Sequence, residues 1–223
     1  MNRLPCCKKQ PKMYELKFMN LCTEGCYNRP EALDELWNEA VAENKDREIL
    51  DAVDDAGDTP IQKCGQYGNP TVLQWVINKW KEQGKELDIE QTDSEGNTPL
   101  MAACIKGYLG SEAIAGKLFA TKEKRLEVVT ILVKEGANIN VVSRMVNMTP
   151  LHWAAYNDDP NLVVFLLKAG AKLTFSKRRK NGEGDVTPVD IAGSMDYDDV
   201  IYVFAKWLEA KITKEMIEKA EGS

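Results

Sequence analysis

The sequence predicts an all-α solenoid of about four helix-turn-helix repeats, with β-hairpin-like fingers and irregular insertions. A Thr-Pro pair followed by an apolar residue occurs four times, starting at residues 59, 98, 149 and 187. Small residues lie five or six positions after each pair, and a more apolar stretch with helical spacing follows. A unit of this kind cannot bury its apolar face alone, so we expect several copies to stack side by side.

Each Thr-Pro pair predicts the start of a first helix, because Thr caps backbone N–H groups and Pro at the first helical position removes no needed donor. A second helix follows, with apolar residues at helical spacing, as in Leu162, Phe165 and Leu166. Gly136 and Gly170 then predict left-handed C-caps. Two positions before each Thr lies a residue that tolerates a tight turn: Gly57, Gly96, Asn147 or Asp185.

Two of these units resemble the ankyrin-repeat family. One runs from Thr149-Pro-Leu-His-Trp-Ala-Ala to Ala171, and the other from Thr98-Pro-Leu-Met-Ala-Ala to Asn140. The family period is about 33 residues, and the longer intervals here predict extra segments. We place an insertion at about 107–125, and a longer finger at 176–184. The resemblance covers about residues 31–213 and implies a non-catalytic protein–protein interaction module.

The charge pattern and the repeats divide the chain into four parts. Residues 1–30 carry six Lys or Arg against two Glu, whereas the remaining residues carry 23 against 33. We therefore predict a basic, Cys-containing extension over 1–30, a capping unit over 31–58, repeats over 59–213 and a charged tail over 214–223. We interpret the extension as a basic tail that docks onto a partner.

The two ends of the solenoid need caps with a polar outer face. Residues 31–46 predict one helix with a polar face, and residues 49–57 predict a finger directly after it, without an outer helix. At the other end, residues 197–210 and 213–220 predict two helical stretches. The second of these is highly charged.

Composition excludes several classes of protein. A formal net charge of -6 argues against a nucleic-acid binder, which needs a basic surface. No apolar run reaches the roughly 18 residues that span a bilayer. Six Cys in 223 residues are too few for a disulfide scaffold, and the N-terminus has no secretory signal pattern. We expect an intracellular protein, cytoplasmic or cytoskeletal, with a mitochondrial location as an alternative.

His152 is the single histidine of the chain, and the resemblance implies that it is structural, bonding to Thr149 and neighbouring turns. No motif in the sequence predicts a cofactor, a catalytic site or a small-molecule substrate. The basic loop 176–184 is interpreted as a solvated finger tip; a nuclear signal or a phosphate site is the alternative.

The cysteines allow three hypotheses beyond idle thiols. Cys6 and Cys7 precede several Lys residues, so acylation there would anchor the chain to an anionic membrane. The same two residues, with Cys22 and Cys26, could supply four thiolates to zinc, although adjacent Cys are awkward tetrahedral partners. A thiol-dependent enzyme is the third and least favoured hypothesis. A membrane partner is therefore expected only if the N-terminus is acylated.

The resemblance implies a binding face made by the first helices and the fingers. The fifth, eighth and ninth positions from each Thr are the variable ones in the family; they include Ala102 and Ser194 here. From this register we predict ten partner-binding residues: Lys63, Gln66, Tyr67, Ile105, Lys106, Trp153, Tyr156, Asn157, Ile191 and Met195. Trp153 and Tyr156 form an unusually apolar centre, which is typical of an interface anchor. Alternatively, an insertion or the N-terminal tail covers this patch.

The function predicted from the sequence is a scaffold or structural subunit within a larger, multi-subunit assembly. The alternatives are an ankyrin-type inhibitor or regulator of an enzyme such as a kinase, and a membrane-anchored adaptor acylated at Cys6 and Cys7. The expected partners are proteins, without nucleic acid or cofactor.

Overall fold

The architecture is taken from a computed structural model. It describes residues 13–23, 31–54, 56–84, 86–105, 121–144, 146–173 and 186–221. Eleven helices are found within these ranges: α1 (Met13–Thr23), α2 (Glu31–Ala42), α3 (Asp46–Leu50), α4 (Pro60–Tyr67), α5 (Pro70–Glu82), α6 (Pro99–Cys104), α7 (Lys122–Lys134), α8 (Pro150–Tyr156), α9 (Pro160–Lys168), α10 (Pro188–Ser194) and α11 (Asp198–Glu221). The predicted all-α solenoid is confirmed.

The helices stack in two rows. The inner row is α1, α4, α6, α8 and α10, and each of these helices contacts the next along the row. The outer row is α2, α5, α7, α9 and α11, and each outer helix lies against the inner helix that precedes it. The described residues therefore form five helix pairs, with one contiguous apolar core between the two rows.

The four predicted helix starts are confirmed. Thr59, Thr98, Thr149 and Thr187 are the N-caps of α4, α6, α8 and α10, each with extended backbone and Pro directly after it. Three outer helices are capped in a related way. The side chains of Asn69, Thr121 and Asp159 accept from backbone N–H groups of α5, α7 and α9. Each cap satisfies a donor that the helix leaves free.

The fingers are the segments that lead from one helix pair to the inner helix of the next, and each is closed by a turn. The backbone N–H of Asp54 donates to the carbonyl of Asp58 at 3.1 Å, and that of Asp93 donates to Asn97 at 3.0 Å. In the third finger, Ser143 donates to Met148 at 2.9 Å. No strand ladder is formed within the described ranges, so these fingers resemble hairpins only at their tips. The tight turns predicted two residues before each Thr are confirmed at Gly57, Gly96 and Asn147, which all have positive φ. Asp185 lies outside the described residues.

The N-terminal end differs from the predicted extension. Residues 13–23 form α1, which is the inner helix of the first pair. Tyr14, Phe18, Met19 and Cys22 of α1 are buried against the body, and Phe18 is 1% exposed. The reason is the contact of α1 with α4, which lies more than thirty residues further along the chain. Residues 13–23 are thus part of the solenoid. The predicted tail that docks onto a partner does not apply to them.

The predicted capping unit is also corrected in detail. The helix predicted over 31–46 ends at Ala42, and it is the outer partner of α1. A short helix, α3, precedes the first finger. At the C-terminus, α11 is one continuous helix of 24 residues where two stretches were predicted. The insertion predicted over 107–125 ends earlier, because α7 is capped by Thr121 and begins at Lys122; residues 106–120 and 174–185 lie outside the described residues.

Candidate functional site

The C-terminal ends of α8 and α10 form the most apolar accessible part of the predicted binding face. The rings of Trp153 and Tyr156 lie edge to face, with centroids 5.9 Å apart and planes at 86°. Tyr156 is 47% exposed and Met195, at the end of the neighbouring α10, is 42% exposed. Ile105, which follows α6, and Trp153 are half-buried. We call Ile105, Trp153, Tyr156 and Met195 the apolar ledge.

Two other predicted residues of this face are buried inside the chain. Asn157 is 6% exposed, and its side-chain amide donates to the backbone carbonyl of Cys104 at 2.6 Å. Ile191 is 8% exposed and packs in the core. Asn157 therefore joins two neighbouring repeats and Ile191 belongs to the core, so the accessible part of the predicted face is smaller than the register alone suggested.

Lys63 takes part in an ion-pair cluster at the first finger. Its ammonium lies 2.5 Å from the Asp58 carboxylate and 2.7 Å from that of Asp54. Burial opposes the charged form of Lys63, but the two carboxylates outweigh burial, and the pKa of Lys63 is raised above its usual range. Gln66 and Tyr67 are half-buried at the end of α4. Lys106 lies outside the described residues.

His152 has the structural role that was predicted. Its Nδ1 accepts from the backbone N–H of Thr149 at 3.1 Å and lies 2.8 Å from the Thr149 hydroxyl. Because Nδ1 accepts, the ring proton is on Nε2, which donates to the carbonyl of Val186 at 3.1 Å. The ring is fully buried. His152 thus joins the start of α8 to the residue before the next repeat.

A family profile of ankyrin repeats, in three copies, matches residues 117–216. These residues include α7 to α10 and most of α11, and the helix pairs found there are those of the solenoid. Residues 117–216 carry ankyrin repeats. The helix pair α4–α5 has the same Thr-Pro cap and finger, so the repeated architecture extends beyond the matched range.

Individual relatives share the ankyrin-repeat part at low identity. Palmitoyltransferase ZDHHC13 of Mus musculus is 30% identical over 149 residues, which are 65% of this chain and 20% of that protein. Palmitoyltransferase AKR1 of Lachancea kluyveri is 26% identical over 144 residues, covering 54% of this chain and 19% of that protein. NF-kappa-B inhibitor zeta of Homo sapiens is 25% identical over 152 residues, covering 63% and 21%. The chain thus spans about a fifth of the length of the relatives that it matches.

The thiols of the ankyrin-repeat core are poorly suited to chemistry. Cys22, Cys64 and Cys104 are all free and fully buried. Burial raises the pKa of Cys104 to about 12 and raises that of Cys22, which lies next to the Cys64 thiol. A thiol must be ionised and accessible to act as a nucleophile. The thiol-dependent enzyme therefore finds no support among these three residues.

The metal and membrane hypotheses rest largely on residues outside the described ranges. Cys6, Cys7 and Cys26 are not among the described residues, so the acylation and four-thiolate zinc hypotheses stay predictions. Within the described part of the chain, no three His, Cys, Asp or Glu side chains come together at a position suited to a metal ion. In that same part, every helix is too short or too polar to cross a bilayer.

Two features of the ankyrin-repeat surface were missed by sequence reasoning. Asp158 and Asp196 follow the inner helices α8 and α10 with left-handed backbone, at φ 51° and 55°. They occupy the place that Gly68 holds after α4, at φ 59°. The alignment of the repeats could have shown that two carboxylates replace a glycine at the same structural position.

Proposed function

We propose that this ankyrin-repeat chain is a scaffold or structural subunit that holds a protein partner on the apolar ledge. Ankyrin-type solenoids present extended concave surfaces for protein binding. The observation that carries the proposal is the exposure of Tyr156 and Met195 at the ends of two adjacent inner helices. Large apolar side chains that remain accessible side by side are typical of interaction sites, and aromatic residues are common anchors of such sites.

The geometry of the ledge supports binding through packing. Tyr156 stands on the edge of the Trp153 ring, which restricts both side chains before a partner arrives. A rigid aromatic pair loses little conformational freedom on binding, so more of its buried area contributes to affinity. The partner is therefore expected to insert an apolar side chain beside Tyr156.

The test compares the partners captured by the wild-type chain and by a Trp153→Ala/Tyr156→Ala variant. Tagged full-length chains are purified from the cells of origin, and co-purifying proteins are quantified by mass spectrometry. We expect at least one stoichiometric partner of the wild type to fall about tenfold or more with the variant, since anchor residues typically contribute over about 2 kcal/mol. The same partner should migrate with the wild-type chain on gel filtration, as part of one assembly.

The matched control is Leu16→Ala/Tyr202→Ala, which removes two exposed apolar side chains, one on α1 and one on α11. Thermal melts of both double variants check that the solenoid remains folded. If the ledge variant retains every partner of the wild type, or if the control loses the same partners, binding does not take place at the ledge.

The relatives favour one second candidate. NF-kappa-B inhibitor zeta is named as an inhibitor, and this chain is similar to a fifth of it. A regulator that inhibits its partner would use the same ledge. It differs from a scaffold in that adding the purified chain lowers the activity of the captured partner, whereas a structural subunit leaves that activity unchanged.

A further inference from the structure

The ledge is bordered by carboxylates on the side where the inner helices end. Asp158 follows α8 two residues after Tyr156, and Asp196 follows α10 directly after Met195. Asp196 is exposed, and Asp198 and Asp199 at the start of α11 are exposed as well. We call Asp158, Asp196, Asp198 and Asp199 the acidic edge. It runs across two adjacent repeats beside the two most exposed side chains of the ledge.

The backbone at two of these positions favours glycine. Asp158 and Asp196 both have left-handed φ, where a residue with a Cβ is less stable than glycine. The first repeat has Gly68 at the corresponding place, with the same hand of backbone. Neither carboxylate forms an ion pair with another described residue. The two carboxylates are thus at positions where the fold alone would favour glycine, and they contribute charge to the surface.

No described cation forms an ion pair with the carboxylates of the acidic edge. Arg125 is buried, with its guanidinium 4.0 Å from the Asp159 carboxylate inside the chain. Lys63 is held by its own two carboxylates at the first finger. Lys122 reaches the acidic edge, where its ammonium donates to the backbone carbonyl of Asp158. Asp196, Asp198 and Asp199 are exposed, and no cation of the described ranges is paired with them.

We propose, on the basis of the proposed function above, that the partner binds the ledge through a basic segment: a large apolar or aromatic anchor flanked by Lys or Arg. The anchor packs beside Tyr156 and Met195, and the flanking cations lie over the acidic edge. Opposite charges at the rim of an interface steer the approach of the partner and fix its register. A neutral segment would leave the carboxylates of the acidic edge unpaired, and an acidic segment would be repelled by them.

The experiment uses the full chain and a random twelve-residue phage-displayed peptide library as the probe. Peptides are selected on the immobilised wild type, and then their affinities are measured for Asp158→Asn/Asp196→Asn. Asn removes the charge, keeps the size of the side chain and tolerates left-handed backbone. Glu86→Gln/Glu127→Gln is the matched control, because it removes two exposed carboxylates from other parts of the molecule.

We expect the selected peptides to be enriched in Lys and Arg next to an apolar or aromatic residue. Their affinity for the Asn double variant should be about 3- to 10-fold weaker at 50 mM NaCl, and the difference should shrink below about twofold at 500 mM, since salt screens exposed charges. The Gln control should bind as the wild type does. Thermal melts of each variant confirm that the fold is retained.

The failure of this inference can be told apart from the failure of the proposed function. Peptides that lose affinity with Tyr156→Ala but bind the Asn double variant as they bind the wild type overturn the basic partner and leave the ledge in place. Selected peptides without Lys or Arg would also contradict a basic partner and leave the ledge in place as a binding site. Peptides that are indifferent to Tyr156→Ala, or a library that yields no binder, count against the ledge and therefore against both.

Discussion

His152 and Gln62 perform the same task in two different repeats. Gln62 accepts from the backbone N–H of Thr59 at 2.8 Å, as His152 accepts from Thr149. Its amide then donates to the carbonyls of Gln91 and Asn97 in the next finger, at 3.1 Å each. Both side chains are fully buried. A residue three positions after the capping Thr therefore joins each of these repeats to the next, provided that it carries both a donor and an acceptor.

This equivalence predicts different outcomes for two substitutions of His152. His152→Ala loses two buried hydrogen bonds and leaves a cavity, so the free energy of unfolding should fall by about 2–4 kcal/mol. His152→Gln gives this repeat the side chain that Gln62 supplies in the first one. The free energy of unfolding should therefore fall by less than about 1.5 kcal/mol. Urea denaturation measures both values. Equal losses for Ala and Gln would show that the ring is needed for its shape and not for its two bonds.

The ion pairs of the first finger predict that the folded chain loses stability at acid pH. Burial raises the pKa of Asp54, but the hydrogen bond from Lys63 and backbone N–H bonds outweigh burial, so the pKa of Asp54 is below its usual range. A carboxyl with a lowered folded-state pKa stabilises the fold above its unfolded pKa of about 3.9, and this contribution is lost as the pH falls further. Stability should therefore be flat near neutral pH and fall below about pH 4.

Lys63→Met provides the comparison for this pH dependence. It removes the ammonium that stabilises the charged form of Asp54 and leaves Asp54 and Asp58 facing each other. The variant should lose stability most at neutral pH, and its stability should depend less on pH between about 3 and 5 than that of the wild type. Thermal melts over this pH range measure the difference. Parallel curves for the two chains would contradict the proposed role of the cluster.

At the scale of elements, α1 completes the solenoid through an aromatic seam with the next helix pair. Phe18 of α1 and Trp37 of α2 both contact the Trp75 ring of α5, each at 5.7 Å between centroids. Lys79 lies over Trp37 and Trp75, at 5.5 and 5.8 Å from the ring centroids. The indole N–H of Trp75 donates to Asp34 of α2 at 2.9 Å. The seam therefore joins the first pair to the repeats by packing, by cation–π contacts and by one hydrogen bond.

Substitutions in α1 test whether it is part of the folded body. Phe18→Ala should lower the free energy of unfolding by about 3–5 kcal/mol, because the ring is fully buried in the seam. Leu16→Ala on the same helix is the control and should change it by less than about 0.5 kcal/mol, since Leu16 is 51% exposed. Chemical denaturation measures both. Similar small effects would mean that α1 is a peripheral extension, as the sequence had suggested.

At the scale of the whole molecule, the last helix is longer than the solenoid requires. The first part of α11 packs on the core through Val200 and Phe204, whereas all described side chains from 208 onward are exposed. Its preceding outer helix, α9, has 9 residues against 24 in α11. In a solenoid each unit is stabilised only by its neighbours, so the distal half of α11 contributes little to the stability of the rest.

Deletion of residues 212–223 should therefore leave the stability nearly unchanged, within about 0.5 kcal/mol, in the range of surface substitutions. Phe204→Ala, which creates a cavity at the base of the same helix, should lower the free energy of unfolding by about 3–5 kcal/mol. Differential scanning calorimetry of both variants measures the contrast. A deletion that destabilises the chain as much as Phe204→Ala would show that the distal half packs on the molecule.

The sequence by itself determined the features that depend on a few neighbouring residues. The four inner-helix starts were predictable because a Thr cap and a following Pro act within one turn. The turn residues before Thr59, Thr98 and Thr149 were predictable because few residue types adopt the positive φ that a tight turn requires. The structural role of His152 was implied by the resemblance of its segment to the ankyrin-repeat family. The stacking of such units then followed from their unburied apolar faces.

The tertiary structure alone decided which side chains of these units remain accessible. The register placed Asn157 and Ile191 on the binding face, but both are buried, since burial depends on neighbours distant in sequence. For the same reason, the apolar residues of α1 became core only when α4 was in place. The aromatic centre of the candidate site, Trp153 and Tyr156, was predicted from the sequence. The two carboxylates could be found by aligning the repeats, but their place beside the ledge depends on the packing of α8 against α10.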